Sequence, residues 1–150
     1  MANKWTIEQQ MAIDKKNANI LVSASAGSGK TAVLTERVIT KLKNGISLEN
    51  LIILTFTNAA ASEMKERIKQ KIIDAINEGY ELNRELDYID QAIICTFDSY
   101  ALYLVKKYSH ILDIDKNISI GDKIVLDIEL NRIIDQVFLD KYNLNDKNFI

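Results

Sequence analysis

Residues 24–31 have the composition and spacing of a loop that binds phosphate. They read Ala-Ser-Ala-Gly-Ser-Gly-Lys-Thr, and the phosphate-loop pattern is Gly, four residues, then Gly-Lys-Ser/Thr. The two glycines let the backbone turn so that successive N–H groups point at one anion. Lys30 supplies a mobile positive charge for the β- and γ-phosphates, and the Thr31 hydroxyl suits a magnesium ion. Only Ala24 departs from the pattern, at the position of the first glycine.

The whole stretch is therefore a candidate nucleotide site, with Lys30 and Thr31 nearest to phosphoryl chemistry. Its members are Ala24, Ser25, Ala26, Gly27, Ser28, Gly29, Lys30 and Thr31. The alternative is a glycine-rich turn that binds nothing. A short apolar run before the loop and a helical pattern after it favour the phosphate loop, because that context places the helix N-terminus at the anion.

Two further segments carry hydroxyl groups and one phenylalanine each. They are 55–58, Thr-Phe-Thr-Asn, and 96–99, Thr-Phe-Asp-Ser. Phe56 and Phe97 could stack on bases, and hydroxyl groups at helix starts suit phosphates. The alternative is that both rings are core residues and the hydroxyls are helix N-caps, and spacing alone favours that alternative.

The elements that must position these residues alternate between short apolar runs and longer amphipathic ones. Strands are predicted over 19–24, 51–56 and 92–96, and helices over 6–16, 29–43, 58–77, 99–108 and 122–142. Thr6 is a predicted N-cap, and Asn44-Gly45 predicts a helix stop. The predicted apolar stripes are Leu34, Val38 and Leu42 in the second helix, and Ala61, Met64, Ile68, Ile72 and Ala75 in the third. The helix over 99–108 is apolar on most sides, which predicts deep burial. Alternating strands and helices indicate a parallel sheet whose ligands bind at the carboxyl ends of the strands.

The composition is that of one ordinary globular domain. The chain has 150 residues, 47% apolar and 27% charged, with a net charge of -2. No apolar run approaches the roughly 20 residues of a membrane span. The single cysteine, Cys95, excludes a disulfide framework within the chain and fits a cytoplasmic setting.

In combination, residues 5–13, 20–37, 51–68 and 95–105 resemble the first motifs of superfamily 1 DNA helicases of the UvrD/Rep type. The stretches are a glutamine motif around Gln9, the phosphate loop, Thr-Phe-Thr-Asn-Ala-Ala-Ala-Ser-Glu-Met at 55–64, and Thr-Phe-Asp-Ser at 96–99. Within that superfamily the sequence is most similar to the N-terminal segment of helicase/nuclease proteins of the AddA type. Alanine is common at the first loop position in this family, so Ala24 becomes an expected residue.

The resemblance implies an α/β fold of the P-loop NTPase (RecA-like) type, with a parallel sheet, helices on both faces and a mostly helical C-terminal part. Residues 1–110 would be the N-terminal part of the first helicase domain, and 111–150 the start of an inserted helical subdomain. Gln9 would contact the adenine of ATP, and Thr31 would bind Mg²⁺. A path for single-stranded DNA would be lined by Thr55, Phe56, Thr57, Asn58, Thr96, Phe97 and Ser99. The full-length protein would also bind double-stranded DNA and an AddB-type partner protein, and it would not associate with a membrane.

Two positions depart from the family pattern. Asp98 stands where the family usually has histidine, and a carboxylate repels a phosphodiester backbone. Ala32 follows the loop threonine where some members carry arginine, so no contact is assigned there.

The family's acidic Asp-Glu strand, which holds the second Mg²⁺ carboxylate and the general base, has no counterpart in the sequence. We therefore expect a segment of a longer protein that binds nucleotide weakly and neither hydrolyses ATP nor unwinds DNA alone. In the family this strand lies beside the phosphate-loop strand, so an open sheet edge and self-association are expected. The alternatives are a UvrD/Rep-type helicase without a nuclease, and a non-catalytic nucleotide-binding module.

Overall fold

The computed structural model describes residues 5–25 and 27–144, which form a two-stranded parallel sheet and several helices. The elements are α1 (Ile7–Asp14), α2 (Lys30–Lys43), β1 (Ile52–Thr55), α3 (Asn58–Asn77), α4 (Asn83–Tyr88), β2 (Ile93–Thr96), α5 (Phe97–Lys107), α6 (Ser109–Leu112) and α7 (Lys123–Asn143). A short 3-10 helix, Leu48–Asn50, precedes β1. None of the helices in the described ranges is long and apolar enough to cross a bilayer.

Helix α3 connects β1 to the parallel strand β2 and packs against both. The register places Ile52 opposite Ile93 and Thr55 opposite Thr96, so the two strands end side by side. The predicted bounds of α3, 58–77, are confirmed, and so is its apolar stripe. All five stripe residues are buried: Ala61, Met64, Ile68, Ile72 and Ala75.

The core lies between α2, α3 and the sheet. Ile68 and Ile72 of α3 have no exposed surface. The α2 side chains packed into the same core are Val38, Ile39 and Leu42. Val38 and Leu42 of the predicted α2 stripe are buried, as expected. The assignment of Leu34 to this stripe is wrong, because its side chain is 38% exposed. The stop signal at Asn44-Gly45 is confirmed, because Gly45 has φ +82° and its amide closes the last turn onto Leu42.

The strand predicted over 19–24 is wrong for the described residues, where residues 19–25 have no regular structure. A β-strand exists only when its backbone groups pair with a neighbour. The two-stranded sheet does not extend to this segment. Its apolar residues are therefore exposed, and Leu21 is 97% exposed. The phosphate loop thus follows an extended but unpaired segment instead of a third strand.

The deep burial predicted for the helix after β2 is also wrong, since α5 has no buried residue. Apolar composition on most sides of a helix favours burial, but burial also needs a neighbouring element that covers those sides. The last predicted helix, over 122–142, is confirmed within a residue. Its N-cap is Asp122, whose Oδ1 accepts a hydrogen bond of 2.8 Å from the Ile124 amide.

The chain divides into two compact units, one reaching to Ala101 and the other beginning at Leu102. The first contains the sheet, helices α1–α4 and every candidate site residue that lies in the described ranges. The second contains α6 and α7, and α7 has no buried residue. Its apolar side chains, among them Leu130 and Ile133, are exposed along the helix.

The exposed apolar segment 20–22 predicts concentration-dependent self-association. Leu21→Lys places a charge where a second copy would bury a leucine. Burying such a side chain is worth about 1.5–3 kcal/mol. We therefore expect the substitution to weaken association roughly ten-fold or more. Sedimentation velocity across a concentration series measures this.

The matched control is Leu130→Lys in α7, which makes the same chemical change at another exposed position. Both variants should fold, because exposed substitutions change stability by at most about 0.5 kcal/mol. A monomeric wild-type chain, or an effect confined to Leu130→Lys, would contradict the prediction.

Candidate functional site

The phosphate loop has the backbone geometry that an anion site requires. Gly27 has φ +76° and Gly29 has φ +80°, which is the left-handed region that glycine adopts without strain. Gly29 is the N-cap of α2, and no side chain caps this helix start. The first amides of α2 have no intrahelical acceptor, so they and the helix dipole are available to an anion.

Lys30 lies across its own loop. Its Nζ donates hydrogen bonds to the backbone oxygens of Ala24, at 2.9 Å, and Ser25, at 2.7 Å. The Ser28 amide closes the turn by donating to the Ser25 oxygen at 3.3 Å. The ammonium group is thus held at the mouth of the loop by two carbonyl oxygens. Phosphate oxygens are stronger acceptors for the same group, because the bond is then charge-assisted on both sides.

Thr31 is the second residue of α2 and is exposed. Its backbone oxygen accepts a hydrogen bond of 2.9 Å from the buried Thr35 hydroxyl, which fixes the first turn of the helix. Ala26, the remaining residue of the predicted site, lies outside the described residues. The other seven residues of the predicted nucleotide site form one continuous loop and the first turn of α2.

Gln9 connects α1 to the phosphate loop. Its Oε1 accepts from the Thr6 amide at 2.9 Å, which together with the bond from the Gln9 amide to the Thr6 hydroxyl forms a capping box. Its Nε2 donates to the backbone oxygen of Ser28 at 3.2 Å. A glutamine amide has two donors and two acceptor sites. Gln9 therefore keeps capacity for one further bond of each kind, which is what the N6 and N7 edge of adenine requires.

Arg37 of α2 holds the other end of α1. Its guanidinium donates to the backbone oxygens of Ala12 and Ile13, the latter at 3.1 Å. These bonds satisfy carbonyl groups near the C-terminus of α1, where a positive charge also stabilises the helix. Helix α1 is therefore attached at both ends, to the loop through Gln9 and to α2 through Arg37. No motif or spacing in the sequence points to this role of Arg37.

A cavity of about 550 Å³ lies between α1 and the phosphate loop. Its lining includes Gln9, Ser25, Ser28 and Lys30. This volume is in the range of small-ligand sites. Glu8 lines the same cavity, and hydrogen bonds from its backbone amide and then from the Thr6 hydroxyl lower the pKa of its carboxyl group. The cavity thus holds one ammonium and one carboxylate beside a helix N-terminus.

The residues present fit a Mg²⁺–nucleotide. The two left-handed glycines and the uncapped start of α2 form a concave run of amides, and the Ser28 hydroxyl is buried without a hydrogen-bond partner. In such a complex the amides and Lys30 would hold phosphate oxygens, and the Thr31 hydroxyl would bind the metal. Among the described residues, no cluster of three or more histidine, cysteine or acidic side chains could hold a metal by itself.

The ends of β1 and β2 form a second candidate surface, the carboxyl edge (residues 55–58 and 96–99). The rings of Phe56 and Phe97 lie side by side there, with centroids 6.0 Å apart and planes inclined by 41°. Phe56 is 93% exposed and Phe97 is 55% exposed. The interpretation of these rings as core residues is therefore wrong, and both rings present exposed surface.

The hydroxyl groups of the carboxyl edge act as helix caps, as one interpretation predicted. Thr57 caps α3 by accepting from the Ala60 amide at 3.1 Å. Thr96 accepts from the Ser99 amide at 3.2 Å and donates to the Ser99 hydroxyl at 2.9 Å. The Thr55 hydroxyl donates to the Thr57 backbone oxygen at 3.0 Å.

Helices α3 and α5 both begin at the carboxyl edge, immediately after their strands. Asn58 is the first residue of α3 and is exposed. Two helix N-termini beside two exposed rings suit a ligand that combines phosphates with flat bases. Asp98 is exposed in the first turn of α5 and adds a negative charge to this surface. Cys95 in β2 is partly buried, and burial raises the pKa of its thiol.

Comparisons with known proteins identify the family of this chain. The UvrD/REP helicase N-terminal domain matches residues 5–149. The chain is also similar to proteins whose name describes one subunit of an ATP-dependent helicase/nuclease. The protein of Clostridium novyi is 45% identical over 145 residues, covering 93% of this chain. That of Clostridioides difficile is 42% identical over 153 residues, covering 98% of it. The chain spans about 12% of the length of each of these relatives.

A matched pair of glycine substitutions tests the phosphate loop. Gly27 and Gly45 have φ of +76° and +82°, and neither has an atom within 4 Å of an added Cβ. Alanine at either position costs about 1–2 kcal/mol of backbone strain. We expect Gly27→Ala and Gly45→Ala to lower the unfolding free energy similarly, but only Gly27→Ala to weaken binding of Mg²⁺–ATP. Urea unfolding and calorimetric titration measure the two effects, and equal binding by both variants would contradict the prediction.

Proposed function

Because the chain belongs to the UvrD/REP helicase family, we propose that it forms the nucleotide-binding segment of an ATP-dependent DNA helicase motor. The segment comprises the phosphate loop, the Gln9 contact and the first part of a path for single-stranded DNA. In this proposal the two-stranded sheet is part of a larger RecA-like sheet with helices on both faces. Residues 1–110 belong to the first motor domain, and 111–150 begin an inserted helical subdomain.

The observation that carries the proposal is the hydrogen bond from Gln9 Nε2 to the Ser28 backbone oxygen. It brings an amide suited to adenine against a loop suited to phosphates. The two halves of a nucleotide site are 19 residues apart in sequence and line one cavity. A glycine-rich turn that binds nothing has no need of this contact.

The residues would act on ATP as follows. The amides at the start of α2 and the Lys30 ammonium hold the phosphate chain, and Gln9 recognises the base. When bound at the Thr31 hydroxyl, Mg²⁺ neutralises charge on the β- and γ-phosphates. Before the nucleotide binds, Lys30 occupies the carbonyl oxygens of Ala24 and Ser25, so binding exchanges these acceptors for phosphate oxygens.

The carboxyl edge would contact single-stranded DNA through Phe56 and Phe97, with phosphates at the starts of α3 and α5. Each stacked base is worth about 1–3 kcal/mol. Thr55, Thr57, Thr96 and Ser99 would act mainly by fixing the backbone of this edge, because their hydroxyls cap helices or close turns. The carboxylate of Asp98 opposes a phosphate at the same place and lowers the affinity.

The activity of the whole protein follows by analogy with its relatives, whose name describes part of an ATP-dependent helicase/nuclease. We infer a longer AddA-type protein that couples ATP hydrolysis to DNA translocation and unwinding. It would carry a nuclease, pair with an AddB-type protein and act in the cytoplasm on double-strand breaks during repair and recombination. A UvrD/Rep-type helicase without a nuclease is the alternative, and the sequence that continues the gene distinguishes the two.

The 150 residues by themselves would bind ATP without hydrolysing it. Phosphoryl transfer needs a second metal carboxylate, a positioned water and charge stabilisation in addition to the loop. The sequence has no Asp-Glu pair at the end of an apolar run after residue 97. ATP turnover that survives removal of contaminating enzymes would contradict this part of the proposal.

Calorimetric titration of Mg²⁺–ATP tests the nucleotide site. Lys30→Ala removes a charge-assisted hydrogen bond worth about 1.5–3 kcal/mol. We expect affinity to fall roughly ten-fold to a hundred-fold. The matched control is Lys41→Ala, at the other end of α2, which should leave the affinity unchanged. Equal binding by both variants, or no binding by the wild-type chain, would contradict the proposed site.

Fluorescence anisotropy with a labelled oligothymidine tests the carboxyl edge. Phe56→Ala and Phe97→Ala each remove one stacking ring, and we expect each to weaken binding roughly five-fold to a hundred-fold. Tyr80→Ala is the control, because it removes a partly exposed ring of the same unit away from this edge. An equal loss in all three variants would indicate a non-specific surface instead of the carboxyl edge.

A further inference from the structure

A small cavity lies where helices α1 and α2 end. It has a volume of about 150 Å³ and is lined by residues 13–17, at the end of α1, and by residues at the end of α2 that include Lys41 and Asn44. Among the described residues, it shares no lining residue with the cavity of the phosphate loop. Helix α2 has 14 residues, so the two cavities lie at opposite ends of a helix roughly 20 Å long. A nucleotide in the phosphate loop therefore leaves this second cavity free.

Three lysines line the cavity, and none of their ammonium groups has a partner among the described residues. They are Lys15, Lys16 and Lys41. The single acid of the cavity, Asp14, accepts a hydrogen bond of 2.7 Å from Gln10. Three lysines against one carboxylate leave an excess of positive charge. Other lysines of α2 and α3 form ion pairs with acidic side chains, namely Lys43, Lys65 and Lys71.

Stabilisation of helix ends accounts for only part of this charge. Lys41 lies in the last turn of α2, where a positive charge offsets the helix dipole. The end of α1 is already served by Arg37, whose guanidinium donates to two backbone oxygens there. Lys15 is the C-cap of α1, Lys16 follows it, and both side chains are exposed. These two ammonium groups therefore remain available to an external anion.

The size and composition of the cavity favour one phosphate group of duplex DNA. A volume of about 150 Å³ is below the roughly 300–1,000 Å³ of small-molecule sites, so it suits one phosphate better than a whole nucleotide. Lysine binds phosphate as a point charge, whereas paired carboxylates are best matched by the fork of arginine, and the described lining has no arginine. It has no aromatic ring either, and single strands are bound largely by stacking on rings. The backbone of a duplex needs only the positive charge.

We propose that Lys15, Lys16 and Lys41 bind phosphate groups of a DNA duplex, at a site separate from the carboxyl edge. This inference rests on the proposed function, because it adds a duplex contact to the same motor. The contact positions the duplex without reading its sequence, since a phosphate group carries no base information.

The salt dependence of duplex binding tests the site. Each lysine that contacts a phosphate contributes about 0.9 to the slope of log affinity against log salt concentration. We expect the triple variant Lys15→Gln/Lys16→Gln/Lys41→Gln to lower this slope by up to about 2.7, measured by fluorescence anisotropy with a labelled blunt duplex. The matched control replaces the three ion-paired lysines, as Lys43→Gln/Lys65→Gln/Lys71→Gln. It removes the same charge from other positions and should lower the slope much less. Urea unfolding shows whether both variants are folded.

Two further probes separate the outcomes. A slope lowered selectively in the cavity variant, with an equal effect of both variants on oligothymidine binding, supports the proposal. Equal slopes in the two variants, or a cavity variant that also loses poly-glutamate binding to the same extent, overturns it, the latter in favour of an acidic protein partner. Either result leaves the proposed function standing if the wild-type chain binds Mg²⁺–ATP and oligothymidine. A wild-type chain that binds neither overturns the proposed function and this inference together.

Discussion

The packing of one buried stripe on α3 is the constraint on which both candidate surfaces depend. Ile68 and Ile72 are completely buried and hold α3 against the sheet, which fixes where β1 and β2 end. The same helix packs on α2, with the Thr35 hydroxyl 3.6 Å from the sulfur of Met64. A change in this stripe would displace the carboxyl edge and the helix of the phosphate loop together. The two candidate surfaces therefore share one rigid element, α3.

The nucleotide side is built outward from α2 by polar contacts instead of by a core. Helix α1 has a single buried residue, Ile13, and is held by the hydrogen bonds of Arg37 and Gln9 at its two ends. Such bonds contribute about 0.5–1.5 kcal/mol each, far less than the burial of α3. Helix α1 is therefore held less firmly than α3. Gln9 is then both the attachment of α1 to the loop and a group that a base would contact.

Local signals predicted most of what the structure shows, and the failures occurred where a distant partner decides. The cap at Thr6, the stop at Gly45 and the stripe of α3 follow from short-range rules of helix formation. The segment 20–22 has a strand's composition but no strand to pair with among the described residues, and the exposure of Phe56 and Phe97 depends on what covers the sheet edge. The hydrogen bonds of Arg37 join residues far apart in sequence, so no periodic pattern predicts them.

The phosphate loop could be predicted from its sequence although the segment before it is not paired in the sheet. Its geometry depends on two left-handed glycines and on the start of α2, both of which are set within eight residues. Pairing of the preceding segment is a separate, long-range event. A loop built this way keeps its backbone donors on one concave side although no paired strand precedes it among the described residues. The Ser28 amide and Lys30 Nζ both donate hydrogen bonds to the Ser25 backbone oxygen. These bonds close the loop without a neighbouring strand. The affinity for an anion, in contrast, depends also on how firmly the preceding segment is held, and residues 19–25 have no regular structure.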